Sequence, residues 1–379
     1  MIQWNDDQRA LRELIEGMAD VLSKDHIEDD QAGTFPRHKW DQIAQTGLLG
    51  LPFAPEWGGL GQDLLTTLYV LEGLGYACRD GGLSFSVSTH LASTGTPLNR
   101  FGSRELKERY LPGVCAGTLI GAHAITEPSG GSEALNMSTT AVADGDHFVL
   151  NGSKTFISNA PIADLIVVYA RTGTRGSPGA ITAFLVERDT PGLTVGKSEA
   201  KLGLRTSPLS ELFFDNCRVP ARNVLGRVGS GFLVLDYVMK REILYSFIIN
   251  VGEMQHRLER CLEYARTRTQ FGKPIGSFQS IANRLVDMKI GTETARTWLY
   301  GTAQKVMANK DTTVDIAISK LVASEQNLAS ALSAVQIFGG YGYLAEYGLE
   351  KDLRNAVGGT IYSGTTEIQR ARIAAMLGL

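Results

Sequence analysis

The chain has 379 residues, 43% of them hydrophobic and 20% charged, with a net charge of −3. That length suits two or three packed domains, and the composition excludes a disordered chain. No apolar run approaches the roughly 18 residues that span a bilayer, and without a Lys/Arg block nucleic acid is not expected as a partner.

Asp6 is placed to cap a first helix, on which Leu11, Leu14, Ile15, Met18 and Leu22 recur at helical spacing. Trp40, Ile43, Ala44 and Leu48 repeat the pattern. A glycine-punctuated loop follows, then a helix through Leu65, Leu68, Tyr69, Leu71 and Leu74. A short charged helix from Arg104 to Leu111 is expected to stop at Pro112-Gly113. Near residue 121 the apolar residues begin to come in short runs between turn residues. Asp144-Gly145 and Asn151-Gly152 are hairpin-type pairs, and segments 163–170, 180–187 and 211–219 read as strands. Strands that follow one another without helices favour an antiparallel sheet, here ending near Leu225. From Gly229 the helical period returns. One long helix over 230–268 carries Leu235, Val238, Met239, Ile243, Phe247, Val251 and Met254. Another, from Val314 to Phe338, carries Ile318, Leu321, Val322, Leu328, Leu332 and Val335, which suits a bundle. The expected chain is therefore α+β and mostly α. Its parts are a helical domain over 1–120, a middle β domain over 121–228 and a helical bundle over 229–379.

Cys78, Cys115, Cys217 and Cys261 form no CxxC pair, which points to a reducing compartment and to neither a disulfide framework nor a zinc site. The first residues lack a basic segment followed by an apolar stretch, so no secretory leader is expected and a cytoplasmic location is. There is no P-loop, no GxSxG, no HExxH and no ligand spacing among the six histidines, so no metal is expected. Gly340, Gly342 and Ala345 fit GxGxxA, but a helix precedes them where a Rossmann fingerprint needs a strand. Glycines there still admit a phosphate-bearing ligand close to the backbone. The 42 glycines, about 11% against a usual ~7%, cluster in such places.

Five ordered segments carry a stronger signal: 125–132 (ITEPSGGS), 151–159 (NGSKTFISN), 201–220, 268–275 (RTQFGKPI), and 336–342 together with 361–369. In order, spacing and texture they resemble the acyl-CoA dehydrogenase family over essentially the whole chain. The resemblance implies N-terminal helices, a middle β-barrel and a C-terminal four-helix bundle, assembled as a homotetramer or dimer. It implies FAD between the β domain and the bundle, reaching across a subunit interface, and a thioester substrate that loses an α proton and a β hydride. It carries flavin contacts onto Ile125, Thr126, Gly131, Ser132, Phe156, Ile157 and Ser158, with Phe156 where the family usually has Trp and Ser158 where it usually has Thr. Arg268 and Phe271 match residues that hold the partner subunit's FAD, a guanidinium on pyrophosphate. Phe278, Gln279, Gln336, Gly339 and Gly340 match further dinucleotide contacts. Thr365 and Glu367 match carboxy-terminal ones, while Arg241, Tyr362, Ser363 and Gly364 fall at substrate-facing positions.

The chain departs from the family at the base. The commonest motif is IYEGT, with Glu taking the α proton; here the residues are Ile361-Tyr362-Ser363-Gly364-Thr365. A lone serine cannot replace a carboxylate against so weak a carbon acid. A minority of the family carries its base on the long helix, immediately before an Arg, and that position is Lys240. Glu242 lies two residues on, about 200° around a helix, so the two cannot face the same way. Glu242 is nonetheless the expected base: it opens a largely apolar stretch, where burial would raise its pKa towards a useful range. The competing reading is a structural ion pair. Glu325 is expected to be a paired, buried acid.

These features point to FAD-dependent α,β-dehydrogenation or oxidation of an acyl or aminoacyl thioester. The subgroup acting on carrier-protein thioesters in natural-product biosynthesis, prolyl-carrier-protein oxidases among them, is the nearest type. A coenzyme A thioester, a flavin monooxygenase on the same fold, or a flavin- or thioester-binding protein without turnover are the alternatives. A carrier protein would need a basic patch, for which Lys351 with Arg354, or Arg218 with Arg222, are candidates.

Overall fold

The computed structural model describes residues 2–132, 136–177 and 179–379. The first helix, α1 (Asp6–Glu16), is capped one residue earlier than expected. Asn5 accepts from the Gln8 amide and its own amide donates to the Gln8 side chain, a reciprocal capping box. Asp6 becomes the first helical residue, where its charge still suits the positive helix end. The short helices α2 (Ala19–Ser23), α3 (His26–Ala32) and α4 (Arg37–Gln45) precede α5 (Leu64–Ala77), which is buried on nearly every side. Next, α6 (Gly81–Thr89) passes through a π-helical stretch, His90–Gly95, into α7 (Thr96–Phe101). The charged helix, α8 (Arg104–Cys115), runs through Pro112 instead of stopping there. Burial of Leu111, Val114 and Cys115 in the last turn outweighs the lost backbone bond.

The β strands are β1 (Gly121–Ala124), β2 (Thr140–Asp144), β3 (His147–Ser158), β4 (Leu165–Arg171), β5 (Ile181–Glu187), β6 (Leu193–Val195), β7 (Leu209–Pro220) and β8 (Val224–Leu225). They form one sheet in the order β6-β7-β3-β2-β4-β5-β8, with β1 added to β4. Asp144-Gly145 is the expected β2–β3 turn. Asn151-Gly152 is not a turn. Both residues lie inside β3 at a register shift against β7, and Gly152, at φ 143°, faces Thr139 so closely that a Cβ would sit 2.7 Å from its hydroxyl. Nor is the sheet purely antiparallel, because β1 arrives from α8 without a hairpin and pairs parallel to β4, Gly121 opposite Leu165 and Ala124 opposite Val168.

Both faces of β4 and β5 are buried, which is why they read as unbroken apolar runs. Ile166, Val168, Ala170, Phe184 and Val186 join Ala122, Ala124, Leu150, Leu212 and Phe214 in a core enclosed by the sheet. Leu165, Val167, Tyr169, Ala183 and Leu185 face the other way, into a core shared with the helices.

The carboxy-terminal part is α9 (Gly231–Thr267), α10 (Gln279–Met307), α11 (Thr313–Phe338), α12 (Leu349–Gly359) and α13 (Thr366–Met376). At 37 residues α9 is about 55 Å long. It packs on α10, α11 and, from the amino-terminal part, α5. The α5–α9 approach depends on two glycines: a Cβ on Gly75 would lie 2.0 Å from the Ile249 carbonyl oxygen, and one on Gly252 2.1 Å from that of Glu72. Among the described residues no helix is long and apolar enough to cross a membrane.

Candidate active site

Three elements meet around Glu242 of α9. Ser363, between α12 and α13, donates from Oγ to Glu242 Oε1 at 2.6 Å. His123 of β1 brings Nε2 to 3.1 Å from Glu242 Oε2. The two side chains are only 13% (Glu242) and 16% (His123) exposed. Among the described residues Oε2 has no partner in hydrogen-bonding geometry, so Ser363 anchors one carboxylate oxygen while the other faces the imidazole with a lone pair uncommitted. A Brønsted base needs that arrangement. Burial alone would raise the Glu242 pKa, as the sequence suggested, but the outcome is the reverse. The nearby His123 imidazole and the hydrogen bond from Ser363 outweigh burial and hold it below the ordinary glutamate value.

The neighbours of Glu242 on α9 point elsewhere. Lys240 pairs with Asp236 at 2.7 Å, so it is no candidate base, and the Arg241 guanidinium lies 3.6 Å from the centre of the Tyr237 ring. The 200° offset between positions 240 and 242 thus separates a half-buried, ion-paired cation from the largely buried acid. Two buried phenols also lie near the carboxylate. Burial and its charge raise the pKa of Tyr169, whose hydroxyl has no partner, and burial with Glu253 and Glu242 raises that of Tyr362.

Local backbone geometry aims Ser363. Tyr362 is wedged between Phe85 and Phe247, with ring centres 4.6 and 5.3 Å away. Ser363 and Gly364 then both take positive φ, 56° and 86°. Thr365 caps α13 by accepting from the Ile368 amide, and Gln369 Nε2 donates to the Ser363 carbonyl at 2.9 Å. A left-handed serine is an uncommon, strained residue, and such residues concentrate at functional sites.

β1 continues into the loop bearing Ile125, Thr126, Gly131 and Ser132. A buried ion pair fixes this loop. Lys154 of β3 donates to Glu127 Oε1 and to the Ile125 carbonyl, each at 2.9 Å, while Glu127 accepts from the Ser138 and Thr139 amides. The Thr155 amide donates to the Thr126 carbonyl at 2.9 Å. Beyond Lys154 a second register shift, with Phe156 at φ 58°, throws that ring outward, 68% exposed. Ile157 turns into the sheet core, so only its backbone can meet a ligand, and Ser158 lies level with Leu209.

The other expected flavin contacts collect at the far end of α9. Arg268 caps that helix beneath the Tyr341 ring and, with Tyr264, Gln270, Phe338, Gly339 and Gly340, lines an open cavity of about 560 Å³. A Cβ on Gly339 or Gly340 would meet nothing within 4 Å, and Gly339 has φ 61°. Phe271 stands 92% exposed beside Phe278; Gln279 opens α10 and Gln336 lies exposed on α11. Arg268 is 26 residues beyond Glu242, about 39 Å along the helix. The Arg268 cavity thus lies at the opposite end of α9 from Glu242. Glu367 is exposed in the first turn of α13.

Other expectations are corrected here. Glu325 does pair, with Arg370 at 2.6 Å, but on the surface. Lys351 is buried, and Arg354 is tied to Asp30 and Glu350, so neither is free for a partner. Arg218 and Arg222 are exposed beside Asp144 and Glu105. Sequence reasoning missed His123 and the Glu127–Lys154 pair. The one trace of His123 is its place between Ala122 and Ala124, which marks it as facing away from the sheet core.

Three family models, the N-terminal, middle and C-terminal domains of acyl-CoA dehydrogenase, match residues 5–118, 122–217 and 229–378. An L-prolyl-[peptidyl-carrier protein] dehydrogenase of a Serratia species is 41% identical over 95% of this chain and 93% of its own. The crystal structure of the prolyl acyl carrier protein oxidase AnaB superposes with a TM-score of 0.97 at 40% identity, covering both chains completely. PigA with FAD and proline superposes equally well at 39% identity, covering 100% of this chain and 99% of its own.

Proposed function

Because the chain belongs to the acyl-CoA dehydrogenase family, we propose that it binds FAD and dehydrogenates the α,β bond of an aminoacyl thioester, prolyl in class, presented by a carrier protein. The observation that carries this reading is the meeting of Glu242 with Ser363, which puts a carboxylate where the family's commonest base is missing. The relatives named for prolyl-carrier-protein chemistry support the substrate class.

Thr126, Gly131, Ser132 and Phe156–Ser158 would hold the flavin end, with Thr365 and Glu367 beside it. Arg268, Phe271, Phe278, Gln279, Gln336, Gly339 and Gly340 of a second subunit would hold the rest. The fit rests on the open glycine backbone, the exposed Phe156 bulge and the Arg268 cavity. Bound FAD supplies the acceptor for the hydride that leaves the β carbon. Glu242 takes the α proton on Oε2 and becomes a carboxylic acid, while Ser363 keeps Oε1 in place. Arg241, Tyr362 and Gly364 border the substrate. We place the enzyme in the cytoplasm as a homotetramer or dimer, divided at residues 120 and 228.

The test is anaerobic mixing of the flavin-loaded enzyme with prolyl carrier protein and with acyl and prolyl coenzyme A. Bleaching of the flavin by the carrier-bound substrate, lost in Glu242→Gln with flavin still bound, supports the reading. Bleaching only by coenzyme A thioesters moves the substrate class, and undiminished bleaching in Glu242→Gln removes Glu242 as base.

A further inference from the structure

The Glu242 carboxylate is largely buried, with Ser363 Oγ 2.6 Å from one oxygen and His123 Nε2 3.1 Å from the other. Lys240 is engaged by Asp236 and Arg241 by the Tyr237 ring. Ser363 brings a neutral hydroxyl, and Tyr169 and Tyr362 bring phenols whose own ionisation is suppressed. Of these neighbours, His123 is the one whose electrostatic pull lowers the Glu242 pKa.

The β sheet explains why the imidazole is there. In the parallel register of β1 and β4, Ala122 and Ala124 enter the sheet core with Ile166 and Val168. His123 lies level with Val167, whose side chain faces the helices, and so it faces α9. The backbone leading into it is pinned. The Gly121 amide donates to His90 Nδ1 at 3.1 Å, Thr94 donates to the Ala122 carbonyl at 2.9 Å, and Asn159 donates to the Gly121 carbonyl at 3.2 Å. Among the described residues the ring has no second anchor, because its buried Nδ1 lacks a partner. The ring and the carboxylate therefore orient one another.

We propose that His123 is a positioning residue that, with its Nε2 3.1 Å from Oε2, aims the Glu242 carboxylate at the substrate's α proton. This rests on the reading of Glu242 as the base. His123 acts through that carboxylate and needs no contact with substrate.

The test compares wild type with His123→Gln and His123→Phe, as flavin-loaded enzyme, in two measurements. The first is the pH profile of anaerobic flavin bleaching. With the imidazole gone, burial dominates, so the acidic limb should move up by about one to three pH units in His123→Phe. His123→Gln, which keeps a donor but no charge, should fall between. The second is an infrared titration of the Glu242 carboxyl band, identified by its loss in Glu242→Gln and independent of turnover. Its midpoint should rise in the same order. Acidic limbs and carboxyl midpoints that coincide with wild type in both variants overturn the proposal. If Glu242→Gln still turns over, the base assignment fails while the infrared titration still decides whether His123 governs Glu242. Should His123→Phe not fold, His123→Gln against wild type decides alone.

Discussion

Ser363 and Glu242 are 121 residues apart in sequence and 2.6 Å apart in the structure, hydroxyl to carboxylate. On the proposed reading of Glu242 as the base, the serine orients a carboxylate delivered from another helix. Ser363→Ala should leave the flavin bound, move the acidic limb of bleaching upward and slow its limiting rate roughly ten- to a hundredfold, since a misaimed base loses near-attack geometry. Ser363→Glu should be worse at neutral pH, because two adjacent buried carboxylates cannot both stay ionised. Stopped-flow bleaching across pH measures both. A Ser363→Ala profile identical to wild type would show that Oε1 needs no anchor.

Much of this site was legible in the sequence because it is local. Helical periods marked α9 and α11, and ordered motifs marked the glycine loops. What the sequence hid is long-range. Nothing local shows that β1 pairs parallel with β4, and without that register His123 cannot be aimed at α9. The sign of the Glu242 shift was missed for the same reason, since an apolar flank reveals burial but not the imidazole opposite. Pro112 and Asn151-Gly152 misled because tertiary packing overrode strong local signals.

The Glu127–Lys154 pair should tie stability to acid. Burial alone would raise the Glu127 pKa, but bonds from Thr139, Lys154 and Ser138 outweigh it and bring it to about 2, from an ordinary 4.5. An acid with a depressed folded-state pKa contributes stability that is complete above the unfolded value and lost as pH falls through the folded one. The window is therefore pH 4.5 to 2, and the loss is about 3 kcal/mol. Lys154→Met should cost about 3–5 kcal/mol by stranding a buried carboxylate. Glu127→Gln should flatten the acid dependence. Urea unfolding across pH measures both, and an unchanged slope in Glu127→Gln would count against the assignment.

Gly252→Ala tests the helix seam. With the new methyl group 2.1 Å from the Glu72 carbonyl oxygen, α5 and α9 must separate, and no flexible side chain lies between them to yield. A loss above about 4 kcal/mol is expected, at the exceptional end for one substitution. Gly301→Ala, half-buried on α10 with nothing within 4 Å of the added carbon, should be neutral or slightly stabilising through helix propensity. Thermal melts of the two variants separate the close approach from a general intolerance of alanine.

The 39 Å between Glu242 and Arg268 leads to a complementation experiment. If each flavin site takes its base from one subunit and its Arg268 cavity from another, Glu242→Gln and Arg268→Met are defects on opposite sides of the interface. Each homo-oligomer should be inactive, the first with flavin bound and the second with weakened flavin binding, because the guanidinium is lost from the phosphates. In a mixed oligomer, one class of site pairs the Glu242→Gln side with the Arg268→Met cavity and is doubly damaged. The other pairs native Glu242 with native Arg268 and is intact. Co-expression, or unfolding and refolding the two variants together, should therefore restore activity towards about a quarter of wild type for random pairing of subunits into dimers, each dimer having two sites. Activity that stays absent in oligomers shown by native mass spectrometry to be mixed would mean that each chain completes its own site, against the separation of the two patches along α9.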